Sequence, residues 1–451
     1  MCTLISEKDN GIFAWVNRIR LESEGTLIIF FSRVNSDANH PQLERALNLP
    51  GAVMLGLGSI IGTGVFVSLG IGISMAGPTV LPAIALAGLV AMCNGLNSAQ
   101  LAANHPVSGG TYEYGHRWLN PSLGFVAGWM FLCAKSASAA TAALGFALYL
   151  APDHQIPVAF TTVALTTGIT LTGMQRSNTV NTLIVGAVLL ALLAFVALGA
   201  PAIGAHPEHW QTALQSGQFD QLLPAAALMF VAFTGYGRIA TLGEEVTEPR
   251  RTVPRAVLTT LALSILLYIG VAWVSLANAE NEIVSLANLA ESFAGPTLGK
   301  VILVAAALAM VSVLLNLVLG LSRVVLAMGR RGDLPKATAH IRLTSSTPTM
   351  ATVIVGVLIA GLVCLGNLKL TWTFSAFTVL VYYALTNLCA LRLKPEERLY
   401  PTWSAYIGLI GCGSLALFVE WRVLLTGVGL IGIGLVWKWL FNNCASDEVE
   451  S

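Results

Sequence analysis

Gly58-Ser59-Ile60-Ile61-Gly62-Thr63-Gly64-Val65-Phe66 lies inside an apolar run where a membrane helix ought to continue unbroken. Phe233-Thr234-Gly235-Tyr236-Gly237 interrupts a second such run. Glycine and small polar residues weaken a helix interior, and backbone left unpaired in hydrocarbon is costly. Such breaks are tolerated where the freed backbone faces protein, a cavity or a ligand. A matched pair of them, one in each half of a membrane protein, points to a substrate site near the membrane midplane.

The rest of the chain supports a membrane setting. Of 451 residues, 55% are hydrophobic and only 10% charged. The mean hydropathy is +0.74. A soluble domain carries roughly 25% charged residues, so this composition indicates an all-α integral membrane protein. The 24 basic and 23 acidic residues leave a net charge near +1, which offers no field for nucleic acid. The cysteines show neither CxxC nor metal-ligand spacing and read as inert thiols, and no motif calls for a metal or cofactor. HExxH and Ser/His catalytic sets are absent, as are the repeated filters of channels, so neither an enzyme nor a pore is expected.

Apolar runs long enough to span a bilayer number twelve, at about 49–74, 78–103, 121–150, 156–174, 178–200, 222–243, 254–278, 297–328, 348–367, 370–392, 403–419 and 421–441. Arg45, Arg117, Arg176, Arg250, Arg251, Arg255, Arg330, Arg331, Lys336, Arg342, Arg392, Lys394 and Arg398 fall in loops on one side. The opposite loops 201–221 and 279–296 contain no Lys or Arg. The positive-inside rule then puts both termini in the cytoplasm of a multi-pass cell-membrane protein, plasma or bacterial inner. Residues 1–45 lack a secretory signal and read as a cytoplasmic extension with partial helical character. Residues 46–200 and 201–393 form two five-helix repeats, 394–441 the last two helices, and 442–451 a cytoplasmic tail. Five passes per repeat invert the second relative to the first, and each repeat opens on a broken helix.

In the first break, Gly58-x-x-x-Gly62 also fits close helix packing through small residues. The added Gly64, with Ser59 and Thr63, fits an unwound stretch whose amides suit a carboxylate. The second break offers carbonyls that suit an ammonium group. Together they would receive a zwitterion.

These motifs and their neighbours resemble the permeases of the amino acid–polyamine–organocation (APC) superfamily, nearest to bacterial relatives of cationic amino acid transporters. The resemblance rests on Leu43-x-Arg45-x-Leu47 before the first break, and on Ala99-Gln100-Leu101-Ala102 with Pro106-x-Ser108-Gly109-Gly110-Thr111-Tyr112-x-Tyr114. Gly124-Phe125-x-x-Gly128-Trp129 follows, then Gly243-Glu244-Glu245-x-x-Glu248-Pro249-x-Arg251-x-x-Pro254. Ser322-Arg323-x-x-x-Ala327-Met328-x-Arg330-x-Gly332-x-Leu334-Pro335 completes a pattern running over residues 43–395. It implies a secondary transporter for an amino acid or amine, working by alternating access. It also implies substrate recognition at Ser59, Ile60, Gly62, Thr63 and Gly64, and at Phe233, Thr234, Gly235 and Tyr236. Glu244 and Glu245 fall on the family's acidic pair at the cytoplasmic end of helix 6. They are candidate gating residues that can pair with Arg330 or Arg331, or simply a solvated turn.

Two cations depart from the family pattern. Lys135 lies near the middle of the third run, about 20 Å from either end, too far to snorkel. Arg238 directly follows the second break, roughly 8 Å from the cytoplasmic end, where either snorkelling or a place in the substrate site is open. An ionisable residue at depth is a functional candidate by default. The first five runs contain no Asp or Glu in their apolar cores to pair with these cations. Lysine can release its proton, which makes Lys135 the candidate coupling residue for proton symport; ion-independent exchange stays open. Some relatives use a membrane lysine on the fifth helix, where this chain has none. Buried cations without acids fit a neutral or anionic zwitterion better than a cationic substrate. Ser136, Ser138, Asn316, Trp372, Phe374 and Tyr383 are further pocket candidates, with helix packing as the plainer role for each. The expected partners are therefore a small amino acid or amine, lipid and protons. A transporter-like nutrient sensor is the rival class, though neither end of the chain carries a recognisable signalling domain.

Overall fold

A computed structural model describes residues 15–21, 27–33, 47–107, 109–172, 175–205, 207, 219–241, 246–278, 285–342 and 347–450. The chain divides into two units, Met1–Glu44 and Arg45–Ser451. In the first, β1 (Trp15–Leu21) pairs antiparallel with β2 (Leu27–Arg33), Trp15 opposite Arg33 and Leu21 opposite Leu27. Of residues 1–45, expected to be partly helical, the described ones are these two strands. Val16, Ile19, Ile28, Ile29, Phe30 and Phe31 are strand formers, and their clustering outweighs the helix-compatible residues between them.

The second unit is helical. Its first helix, α1, is broken into Leu49–Ile60 and Leu69–Ala76. Then come α2 (Val80–Asn104), α3 (Pro121–Leu150), α4 (Gln155–Leu171) and α5 (Gln175–Gly199). The sixth, α6, is broken into Leu222–Phe233 and Gly237–Thr241. It is followed by α7 (Pro249–Asn278), α8 (Pro296–Arg331), α9 (Thr349–Val363), α10 (Leu368–Leu391), α11 (Trp403–Leu417) and α12 (Trp421–Glu450). Among the described residues, eight stretches are individually long and apolar enough to cross a membrane, the first of them comprising α1 and α2 together.

Local chemistry sets several ends. Asn48, Asn120 and Asn367 each accept a backbone N–H of the first helical turn, at 3.0, 2.8 and 2.9 Å, and so cap α1, α3 and α10. Gly332 stops α8 in the left-handed region (φ 81°), where a side chain would be strained. The outward faces of α4, α5, α11 and α12 stay apolar: Leu165, Leu190, Ile410 and Trp421 are each at least 63% exposed, as lipid-facing residues should be.

Packing reveals the repeat. Adding five to each helix number of the first half reproduces the contacts seen in the second. α1 packs on α5 and α7, while α6 packs on α10 and α2. α3 packs on α4 and α10, while α8 packs on α9 and α5. The pairs α2–α7, α3–α8 and α4–α9 join the halves across the pseudo-twofold. Five passes per half invert the second, as the sequence predicts. α11 rests on α2 and α10, and α12 on α3 and α10, outside the repeat. An amide cluster rivets α11 on: Asn97 donates to Asn387 (2.8 Å), Asn387 to Asn94 (2.6 Å), and Ser404 to Asn97 (3.1 Å). Such polar contacts hold membrane helices where no hydrophobic drive exists between them.

Candidate functional site

The first break begins where Ile61 leaves helical geometry (φ −81°, ψ 86°), and a wider π-type turn over Gly64–Ser68 leads into the outer half of α1. The second is tighter. Thr234–Tyr236 forms a single 3-10 turn and the helix resumes at Gly237, so less backbone is freed there than in α1.

The two breaks touch. A Cβ on Gly235 would lie 2.5 Å from the backbone carbonyl group of Ser59, so only glycine permits this approach. Tyr268 of α7 then pins both: its hydroxyl donates to Ile60 O (2.8 Å) and lies 3.4 Å from Ala232 O. Gly64 makes room for that hydroxyl, which a Cβ would meet at 1.9 Å. Nothing local in the sequence marks Tyr268, which joins the site only through the α1–α7 packing.

Beside the contact lies a small cavity lined among others by Ser59, Lys135, Thr234, Gly235, Arg238 and Asn316. Four expected substrate residues, the expected coupling residue and one secondary candidate thus share one wall. No described lining residue is acidic. Lys135 is 4% exposed and Arg238 6%. The Lys135 ammonium donates to Thr234 Oγ1 (2.7 Å) and to Thr234 O (3.2 Å). Thr234 Oγ1 gives its own proton to Val231 O (2.7 Å). Thr234 O also receives the Tyr383 hydroxyl (3.2 Å) and, within the turn, shares the Gly237 N–H with Gly235 O. Arg238 turns inward, its Cδ close against Gly320 of α8.

The other residues expected in the substrate site do not line this cavity. Ile60 engages Tyr268 through its carbonyl, and Gly62 packs on Ala309 and Val313 of α8. Thr63 is buried, the Phe233 ring lies 5.0 Å from Tyr268, and the Tyr236 ring 5.3 Å from Tyr383. Ser138 bonds Ser375 (2.7 Å) and Trp372 donates to Ser68 (3.2 Å), both tying α10 to its neighbours. Asn316 donates to Asn181 Oδ1 (3.0 Å), which also accepts from Ser312 (2.7 Å). Asn181, on α5, carries no sequence signal beyond being a polar residue in an apolar run. Among the described residues no cluster of His, Cys, Asp and Glu is placed to hold a metal ion.

Glu244 and Glu245 lie outside the described residues. Of the two basic partners suggested for them, Arg330 and Arg331, the second grips Glu113, with Nε at 2.9 and 3.0 Å from the two carboxylate oxygens and Nη2 at 2.5 Å. Glu113 sits on the short helix Thr111–Trp118 between α2 and α3. Its place inside Thr111-Tyr112-x-Tyr114 was the available signal. Next to it, Asp333 accepts from Tyr112 (2.6 Å), and His116 Nε2 and Lys438 of α12 lie 3.6 and 3.8 Å away. Burial, then the bond to Asp333, raises the Tyr112 phenol. Burial also lowers His116 despite the nearby carboxylate, and lowers His105, aided by Arg117.

The family model described as amino acid permease matches residues 51–435. An uncharacterized transporter of Mycobacterium tuberculosis is 38% identical over 403 residues, 87% of this chain and 90% of that protein. The branched-chain amino acid permease BcaP of Bacillus subtilis is 25% identical over 451 residues, covering 91% and 96% of the two chains. The crystal structure of MhsT in complex with L-phenylalanine superposes with a TM-score of 0.58 at 13% identity, over 88% of this chain and all of that one. That likeness shows a shared fold.

Proposed function

The chain belongs to the amino acid permease family, a multi-pass membrane protein of amino acid transport, and on that premise we propose a proton-coupled secondary transporter working by alternating access. Its cargo is an amino acid or close analogue, neutral or anionic rather than cationic. The observation that carries this reading is the Lys135 ammonium held on Thr234 at the helix break, in a wall it shares with Ser59, Gly235 and Arg238. A lysine there can bind and release a proton in step with a ligand, because the ligand cavity and the proton site are contiguous.

The substrate site comprises Ser59, Ile60, Gly62, Thr63 and Gly64 of the first break, and Phe233, Thr234, Gly235, Tyr236 and Arg238 of the second. Tyr268 clamps the two, so motion of α1 against α6 would change the cavity directly. Glu113–Arg331 ties the short helix before α3 to the end of α8 and is suited to hold one side shut. Glu244 and Glu245 keep a proposed gating role at the end of α6. The charge pattern of the loops favours both termini in the cytoplasm.

Uptake of labelled amino acids into proteoliposomes under an inward proton gradient tests this. Wild type should accumulate substrate, and Lys135→Ala should lose the gradient-driven component. Gradient-driven uptake that survives in Lys135→Ala would remove the proton role and leave ion-independent exchange, visible as counterflow. Stabilisation of the purified protein by arginine, lysine or polyamines alone would overturn the substrate charge. A sensor would bind amino acids yet show no counterflow.

A further inference from the structure

We infer that the cavity reads its ligand through a carboxylate placed on Lys135, and that the ligand's ammonium is dispensable, so that small 2-hydroxy and 2-oxo acids are ligands alongside amino acids. This rests on the transport-site reading above and narrows its substrate class.

Acceptor capacity is the first constraint at the break. A carbonyl oxygen has two lone pairs. Thr234 O already faces two side-chain donors, Lys135 Nζ (3.2 Å) and the Tyr383 hydroxyl (3.2 Å), besides a Gly237 N–H that it shares with Gly235 O. Thr234 Oγ1 accepts Lys135 and spends its own proton on Val231 O. Thr234, the residue of the second break that lines the cavity, is therefore already engaged by a cation on both of its oxygens. Lys135 occupies the position that an incoming ammonium would take, and a second cation beside it would be repelled.

Donor capacity runs the other way. An ammonium group has three N–H donors, and Thr234 takes two. The third belongs to a buried side chain that lines the cavity, where no described residue is acidic. A charged donor left there is completed by a carboxylate, in a charge-assisted bond of the strong kind. The titratable and charged groups that face Lys135 are Arg238 and Tyr236 of α6 and Tyr383 of α10. None of them is a base at neutral pH. Carboxylate binding and protonation of Lys135 hence reinforce each other, which gives symport its sign: the anion and the proton travel together.

Matched probes on one carbon skeleton test the inference by thermal shift and tryptophan fluorescence of the detergent-purified protein. L-alanine, L-lactate and ethylamine form one set; L-leucine, 2-hydroxyisocaproate and isoamylamine form another. The hydroxy acid should bind within about tenfold of the amino acid, and the amine at least about a hundredfold more weakly, the scale of a lost bond to a charged group. Lys135→Gln should weaken the hydroxy acid by about ten- to a hundredfold, with Lys135→Arg partly restoring it. Hydroxy-acid affinity should fall as pH rises in wild type and stay level in Lys135→Gln. Amines that bind while hydroxy acids do not, or hydroxy-acid binding unchanged in Lys135→Gln, overturn the inference. Counterflow of labelled amino acid in proteoliposomes separates the two levels. Counterflow competed by amines alone sinks this inference and leaves the transporter standing, whereas absence of counterflow and of all binding sinks both.

Discussion

Lys135 on α3 holds Thr234 on α6 by two hydrogen bonds, 2.7 Å to the hydroxyl and 3.2 Å to the carbonyl oxygen. One side chain thus ties the unbroken helix of the first repeat to the broken helix of the second, beside the cavity. Removing the hydroxyl isolates its share. Thr234→Val should weaken amino acid binding by about tenfold, the cost of one bond to a charged group, measured by scintillation proximity. Unchanged binding would mean that the carbonyl alone positions the ammonium.

Gly235 is the point at which the two breaks meet. Gly235→Ala would place a methyl group 2.5 Å from the Ser59 carbonyl group, and the neighbour is backbone with little freedom to retreat. A loss of about 1–3 kcal/mol in stability is expected, with uptake abolished. A melting temperature in detergent equal to wild type would refute the close approach.

Tyr268→Phe keeps the ring on Phe233 and deletes only the hydroxyl that Ile60 O accepts at 2.8 Å. The buried carbonyl then loses a donor, at a cost of about 1–3 kcal/mol. Melting temperature reads the stability. Uptake at saturating substrate reads whether the clamp also sets the rate of conformational change.

Glu113 and Arg331 form a bidentate pair, with side chains 11% and 42% exposed. Because Arg331 is partly solvated, a coupling energy of only about 1 kcal/mol is expected from a cycle of Glu113→Gln, Arg331→Gln and the double variant. If the pair gates transport, either single variant raises the rate of counterflow. A pair that is only structural lowers stability and leaves that rate unchanged.

The cluster around Asp333 carries a pH dependence of its own. His116 is lowered by burial, so the folded state prefers it neutral and binds fewer protons than the unfolded chain. Its contribution to stability is present above the unfolded value of about 6.5 and is lost as pH falls below it. His116→Gln should flatten that part of the stability profile, read as melting temperature between pH 5 and 8. A profile identical to wild type would place the acid sensitivity elsewhere.

Much of this protein follows from sequence alone. Hydropathy places α1 to α12 because spanning hydrocarbon demands long apolar runs. The two glycine breaks announce themselves because backbone irregularity at membrane depth is costly without a purpose. Lys135 and Arg238 stand out for the same reason. What the sequence leaves open is who meets whom. Thr234 as the seat of Lys135, Tyr268 as the clamp and Glu113 as the partner of Arg331 span separations of 99, 208 and 218 residues. Such pairs are created by the inverted packing of the two repeats. The tightness of the α6 turn also escapes a reading by composition, since it depends on hydrogen bonds rather than residue type. The sequence determined that two helices are broken and that cations lie at depth beside them. Tertiary structure decided that one of those cations already occupies Thr234 at the second break, because only packing brings α3 and α6 within hydrogen-bond reach.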